Sequence, residues 1–364
     1  MPLAIKWLAS VLWLAAMGRN TPDAGMTRPA VDVASIARDP LWFPYRYDPT
    51  HDAFHFRRLS RADHRGATFL TDEYLGEAAP VIVRRQDVIG QPMAAAPLHF
   101  VIHSAFCCST VLARAFDAEG AAMGLKEPMF FNDMAGWQMR GAEPARLQAV
   151  LNDGLRLLAR PFGAGEAVVI KPSNIVNGQV PALLGLRSEA RALFLEAPLR
   201  DFLNSIARKG MWGRLWARDL VLKQLRAGLH PFGFKPDDYF GQTDLQVAAM
   251  GWLAQHALFA RLAGELPGRV RTLDSVQLMA APAPAMTALS ALFGVAMDVP
   301  AVVAGPAFTR HSKFGSEFGA AERVAEQQQA APAHADEIEK VAAWAEAVAK
   351  SAGVPMELPA PLIG

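Results

Sequence analysis

One stretch constrains this chain more than any other. In residues 97–117, PLHFVIHSAFCCSTVLARAFD, an apolar run feeds a turn of small, hydroxyl-bearing residues that opens directly into a helical repeat. Leu98, Phe100, Val101 and Ile102 read as a buried parallel strand, while Val111, Leu112, Ala115 and Phe116 recur at helical spacing. Between them stand Ser104, Ala105, Phe106, Cys107, Cys108, Ser109 and Thr110. Small side chains let backbone N–H groups close around an anion, and the N-terminus of the following helix adds partial positive charge. Ser109 and Thr110 suit two tasks, capping that helix or donating hydroxyls to a phosphate. The turn holds neither glycine nor lysine, which argues against an ordinary nucleotide-hydrolysing Gly-x-x-x-x-Gly-Lys-Ser/Thr site. No Gly-x-Gly-x-x-Gly opens a helix elsewhere, which argues against a nicotinamide or flavin enzyme.

The pattern of strand followed by helix repeats downstream. Gly124-Leu125-Lys126-Glu127-Pro128 reads as a short strand ending at a polar pair, and residues 143–160 as an amphipathic helix with Leu147, Val150, Leu151, Leu155 and Leu158 on one side. Ala167–Ile170 is a second buried strand that runs into Lys171-Pro172-Ser173-Asn174, Ala192–Leu195 a third, and Val270–Asp274 a fourth. A buried helix over 245–263 and another over 285–293 lie beside the last of these. Such alternation predicts a three-layer α/β/α fold with a mostly parallel central sheet. Ligands of open parallel sheets gather beyond the carboxyl ends of the strands, which makes Lys171 a candidate site residue.

The flanks read differently. Residues 1–17 have the outline of a secretory signal, and Met26 opens a polar segment that looks like an ordinary start, so residues 1–25 are either signal-like or an upstream extension. Residues 26–97 hold clustered aromatics and arginines without a sustained period and read as a capping segment, the core running over 98–319. His51 and His55 suit a surface better than a metal, and four strand residues put His99 and His103 about 13 Å apart, too far to share one. Residues 320–364 read as a helical tail, mixed in charge and most simply a solvated face.

The chain of 364 residues is 52% hydrophobic, enough for a large core. Its 36 basic and 35 acidic residues leave a formal charge of +1, so no general attraction to nucleic acid follows and any anion site must be local. The two cysteines are neighbours, Cys107 and Cys108. They build no disulfide framework and no zinc site, which fits a reducing, cytoplasmic setting.

Taken in order, these features resemble the sulfotransferase family, whose P-loop-type fold carries a sulfuryl group from 3′-phosphoadenosine-5′-phosphosulfate to an acceptor hydroxyl or amine. The family's first strand and phosphosulfate loop resemble Phe100 to Thr110, and its strand ending in a Lys-Pro-like turn resembles Val168 to Asn174. Its 3′-phosphate motif, an arginine and then a serine a helical turn on, resembles Arg200 to Ser205. Its late strand with an acidic residue, followed by a proline and a helix ending in Phe-Gly, resembles Thr272-Leu273-Asp274 through Pro282 to Gly294.

The departures define what the resemblance leaves to be replaced. The family's loop reads Pro-Lys/Arg-Ser-Gly-Thr-Ser/Thr, and Phe106 stands here at the cation. Sulfuryl transfer is an in-line displacement in which charge grows on the oxygen joining sulfur to the leaving phosphate, so a cation contributes most in the transition state. Lys171 is the first candidate to supply it and Lys126 the second. The family's arginine, eight residues before the serine, falls on Ala197. Arg200 would take its place, with Arg310 and Lys313 closing from the C-terminal side. For the base that removes the acceptor's proton, His103 and Glu127 are the two choices. The resemblance thus implies a transferase acting on a small-molecule acceptor, with no nucleic-acid or membrane partner. A nucleoside-triphosphate phosphotransferase and a non-catalytic nucleotide-binding module are the rivals.

Overall fold

The computed structural model describes residues 32–310 and 320–364, with the backbone alone for 320–333. Residues 1–25, and with them the signal-like reading, lie outside the described residues, as does Lys313. From Val33 to Gly364 the chain forms one unit.

Eight strands are present among the described residues. Trp42–Asp48 (β1), Ala53–Arg58 (β2) and Val81–Arg84 (β3) make a three-stranded antiparallel sheet, and Leu98–His103 (β4), Ala122–Lys126 (β5), Ala167–Lys171 (β6), Ala192–Glu196 (β7) and Val270–Asp274 (β8) make a five-stranded one. The second sheet runs in the order β5-β6-β4-β7-β8, and every neighbouring pair is parallel. Short apolar runs such as the four residues Ala167–Ile170 are what a strand buried on both faces requires, and β4 through β7 are buried along their whole length.

Because side chains alternate along a strand, β4 feeds two cores. Leu98, Phe100 and Ile102 join one with the first sheet and the helices Met129–Met139, Pro144–Leu158 and Val180–Leu186. Val101 joins the other, with Ser109–Ala115, Leu199–Arg208, Gly210–Arg226 and Pro282–Phe293. The helix Asp244–Glu265 serves both, with Phe259 in the first core and Trp252 in the second. The α/β/α layering read from the sequence is the observed one.

Chain order puts the first strand, β4, in the middle. Its outgoing helix leads to β5 at one edge, the chain returns through β6, and then crosses to β7 on the other side. The end of β4 is therefore a topological switch point, where connections depart in opposite directions and leave a crevice. Residues 104–110 sit at that point.

Two sequence expectations change. The described part of the capping segment, residues 32–97, is organised by the β1–β3 sheet, which an irregular pairing between Pro44 and Arg46 hides from a period-two reading. The C-terminal helix Ala320–Ser351 is no merely solvated tail, because Ile338, Val341, Ala342, Ala345 and Ala349 are buried in the second core. Beyond it, the Thr272 amide donates to the Ala360 carbonyl at 3.0 Å and the Leu362 amide to the Thr272 carbonyl at 2.8 Å, which covers the open edge of β8. The opposite edge is tied down by Arg61, which reaches Asp117, Glu166 and the Ala122 carbonyl. Among the described residues no helix is long and apolar enough to cross a membrane.

Candidate active site

The loop after β4 takes an unusual path for residues with side chains. Ala105, Phe106 and Cys108 have φ of 74°, 54° and 61°, all in the left-handed region that normally selects glycine. Each such residue costs on the order of 1–2 kcal/mol and persists only where its surroundings enforce it. Alternation of left- and right-handed backbone turns successive N–H groups towards one side, the concavity in which anions are held. Among the described residues, the amides of Cys107 and Cys108 donate to no backbone carbonyl.

What enforces this path is a buried polar frame. His103 accepts the Ala105 amide on Nδ1 at 3.1 Å, and its Nε2–H donates to the Pro172 carbonyl at 3.0 Å. Asn177 Nδ2 donates to the His103 carbonyl at 3.1 Å and to Gln255 Oε1 at 3.0 Å, while Gln255 Nε2 donates to the Ser104 carbonyl at 3.3 Å. Asn174 donates to the same Gln255 oxygen at 3.2 Å. On the other side the Ala197 amide donates to Ser104 Oγ at 3.2 Å, and the Cys107 thiol points at the Leu195 carbonyl, 3.4 Å away. Burial pushes that thiol up, so Cys107 stays protonated. The loop is thus fastened to the ends of β6 and β7 and to the long helix.

At the end of β6, Lys171 is almost wholly enclosed and forms an ion pair with Glu127. Its ammonium also lies 5.1 Å from the centre of the Phe69 ring, and its charge acts on Cys107 in the loop. Glu127 takes a left-handed backbone, φ 52°, and its amide donates to the Lys171 carbonyl at 2.7 Å. The carboxylate retains 17% side-chain exposure against 2% for the lysine, so it is the member of the pair that a substrate can reach.

Lys126 lies beside Lys171 in sheet register but its ammonium goes elsewhere, to the carbonyls of His64 at 2.6 Å and Arg65 at 3.2 Å. Burial, and then the Arg114 charge, lower its pKa to about 8. Phe106, at the loop position where the resemblance expects a cation, is packed among aromatic rings. Its ring packs on Phe202 and Trp216 at centroid distances of 5.8 and 5.0 Å, with the Lys209 ammonium 5.4 Å from its centre.

Arg200, expected at the 3′-phosphate, pairs its guanidinium with Glu339 and Glu346 of the C-terminal helix and fastens that helix. Ser205 is half-buried on Leu199–Arg208, and Arg310 is exposed at the end of the described segment. Asp274 accepts the amides of Val276 and Gln277 and caps a helix. The frame residues Asn177 and Gln255 carry no local signal, although the Lys-Pro-Ser-Asn turn marks the place where Asn174 enters. Lys209 and Phe69 likewise join through tertiary packing alone.

No protein-family model and no curated protein matches the chain. Among solved structures it is similar to the sulfotransferase domain from the curacin biosynthetic pathway, with 12% identity over 73% of this chain and all of that domain and a TM-score of 0.40. It is also similar to the sulfotransferase domain from the Synechococcus PCC 7002 olefin synthase, with 11% identity over 64% of this chain and 85% of that domain and a TM-score of 0.35.

Proposed function

We propose that the chain is a sulfotransferase-like enzyme that receives the phosphosulfate end of 3′-phosphoadenosine-5′-phosphosulfate in the loop 104–110 and passes its sulfuryl group to a small-molecule acceptor. One observation carries this reading: a loop of non-glycine residues forced into left-handed backbone, at the switch point of a parallel sheet, beside a buried lysine–carboxylate pair. Strain of that kind is retained where an anion has to be cradled.

In this reading the acceptor oxygen attacks sulfur, the bond from sulfur to the bridging phosphate oxygen breaks in line, and the acceptor's proton passes to Glu127. Lys171 and the loop amides meet the charge that grows on the bridging oxygen, where fixed donors are worth most. His103, with both ring nitrogens engaged, serves as a positioning residue and holds the loop. Lys209 adds a further cation beside Phe106, and Ser205 stands on the preceding helix.

Thermal melting with adenosine 3′,5′-bisphosphate, with ATP plus magnesium, and with neither tests the proposal. A ligand present at a hundred times its dissociation constant stabilises by about 2.7 kcal/mol. Stabilisation by the bisphosphate alone is the expected result. Stabilisation by ATP and magnesium alone would instead make the loop a triphosphate site, and no response to either would leave a scaffold without nucleotide chemistry.

A further inference from the structure

A cavity of about 580 Å³ lies at the β5 edge of the sheet, between the helix Ser109–Ala115, the turn 117–121 and the segment 296–307. None of residues 104–110, and neither Lys171 nor Glu127, lines it. Most of its wall is apolar and small, with Met297, Val302 and Pro306 among several alanines.

Its charges are unevenly satisfied. Asp117 is held by Arg61 and Arg65, Glu119 lies 3.7 Å from Arg65 at the exposed rim, and Asp298 accepts the Ala301 amide. Arg114 and Lys126 have no carboxylate partner among the described residues, and Arg114 Nε is buried with no hydrogen-bond acceptor. A buried guanidinium nitrogen left unbonded is costly, and a carboxylate is the group that its planar fork fits. Lys126 spends N–H groups on two carbonyls, which leaves one of its three.

We propose that this cavity binds a small organic carboxylate with a short apolar body, its anionic end held between Arg114 and Lys126 and its tail against Met297 and Val302. Burial and then the Arg114 charge lower the Lys126 pKa, against a smaller opposing pull from Asp117, so Lys126 sits beside a second cation without an ion pair of its own. The inference is independent of the transferase reading, since the loop takes no part in it.

Calorimetric titration of the full chain with hexanoate, 1-hexanol and inorganic sulfate tests the site. Hexanoate should bind at least tenfold more tightly than either of the others, and Arg114→Gln should weaken it at least tenfold. Val302→Phe fills the cavity without touching its charges and should abolish hexanoate binding, which covers a failure of the Arg114 variant to fold. Hexanol binding as tightly as hexanoate, sulfate doing so, unchanged hexanoate affinity in Arg114→Gln, or no hexanoate binding at all would each overturn the proposal. Bisphosphate stabilisation in the melting assay should be the same with and without hexanoate, so the two readings fail separately.

Discussion

At the scale of single residues, the pair Lys171–Glu127 gives the sharpest test because its members differ in burial. Glu127→Gln strands an enclosed ammonium and should cost about 3 kcal/mol in urea unfolding, whereas Lys171→Met leaves a carboxylate that water reaches and should cost less. In steady-state kinetics Lys171→Met should lower kcat about 10²-fold and leave bisphosphate affinity nearly unchanged. An equal loss in both would make Lys171 a binding residue. Cys108 at φ 61° is expected to tolerate glycine, with Cys108→Gly raising stability by up to about 1 kcal/mol. Burial, followed by the Lys126 charge, lowers the His64 pKa from 6.5 to about 3. The unfolded chain therefore takes up a proton below pH 6.5 that the folded chain refuses, so stability falls as pH drops from 6.5 towards 3. Melting curves of His64→Leu should show a shallower acid slope; an unchanged slope would place the proton uptake elsewhere. The sequence displayed Lys171 because it follows an apolar run, and Glu127 because it closes a polar pair at the end of a short strand. It did not display that Arg200 would be taken by Glu339 and Glu346, residues more than a hundred positions away, since an ion pair of that span is a product of the fold.

At the scale of elements, the parallel strands were legible because a strand buried on both faces has to be an uninterrupted apolar run, and Ala167–Ile170 and Ala192–Leu195 are such runs. The β1–β3 sheet was not legible: Pro44 lies within β1 and the register slips beside it, so alternation is lost where aromatic residues are densest. The C-terminal helix hid its inward face for another reason. That face is built largely of alanines, which bury little area each and contrast weakly with the charges around them. The close fit of the helix Ser109–Ala115 on β5 offers a test of coupling between element and loop. A Cβ on Gly124 would lie 1.8 Å from the Ala113 carbonyl oxygen, so Gly124→Ala must push that helix, and the loop at its head, outwards. It should destabilise the chain by about 1–3 kcal/mol and weaken bisphosphate stabilisation as well. A loss of stability with bisphosphate affinity intact would show that the loop is held by His103 and Gln255 alone.

At the scale of the whole molecule, the two edges of the five-stranded sheet are closed by segments remote in sequence, Arg61 and its neighbours on β5 and residues 360–362 on β8. Shortening the chain at residue 358 bares the amide and carbonyl of Thr272, and light scattering should then detect association that dilution or a charged substitution on β8 reverses. A variant that stays monodisperse would mean that the helices near β8 protect the edge by themselves. The closing strap also has a bearing on biosynthesis. At about 5–20 residues per second, a ribosome that has finished β8 needs several seconds more before Ala360 is made. For that interval the newborn protein carries a complete row of strands with one flank unsealed, which makes it a client for chaperones at a defined and late moment of translation.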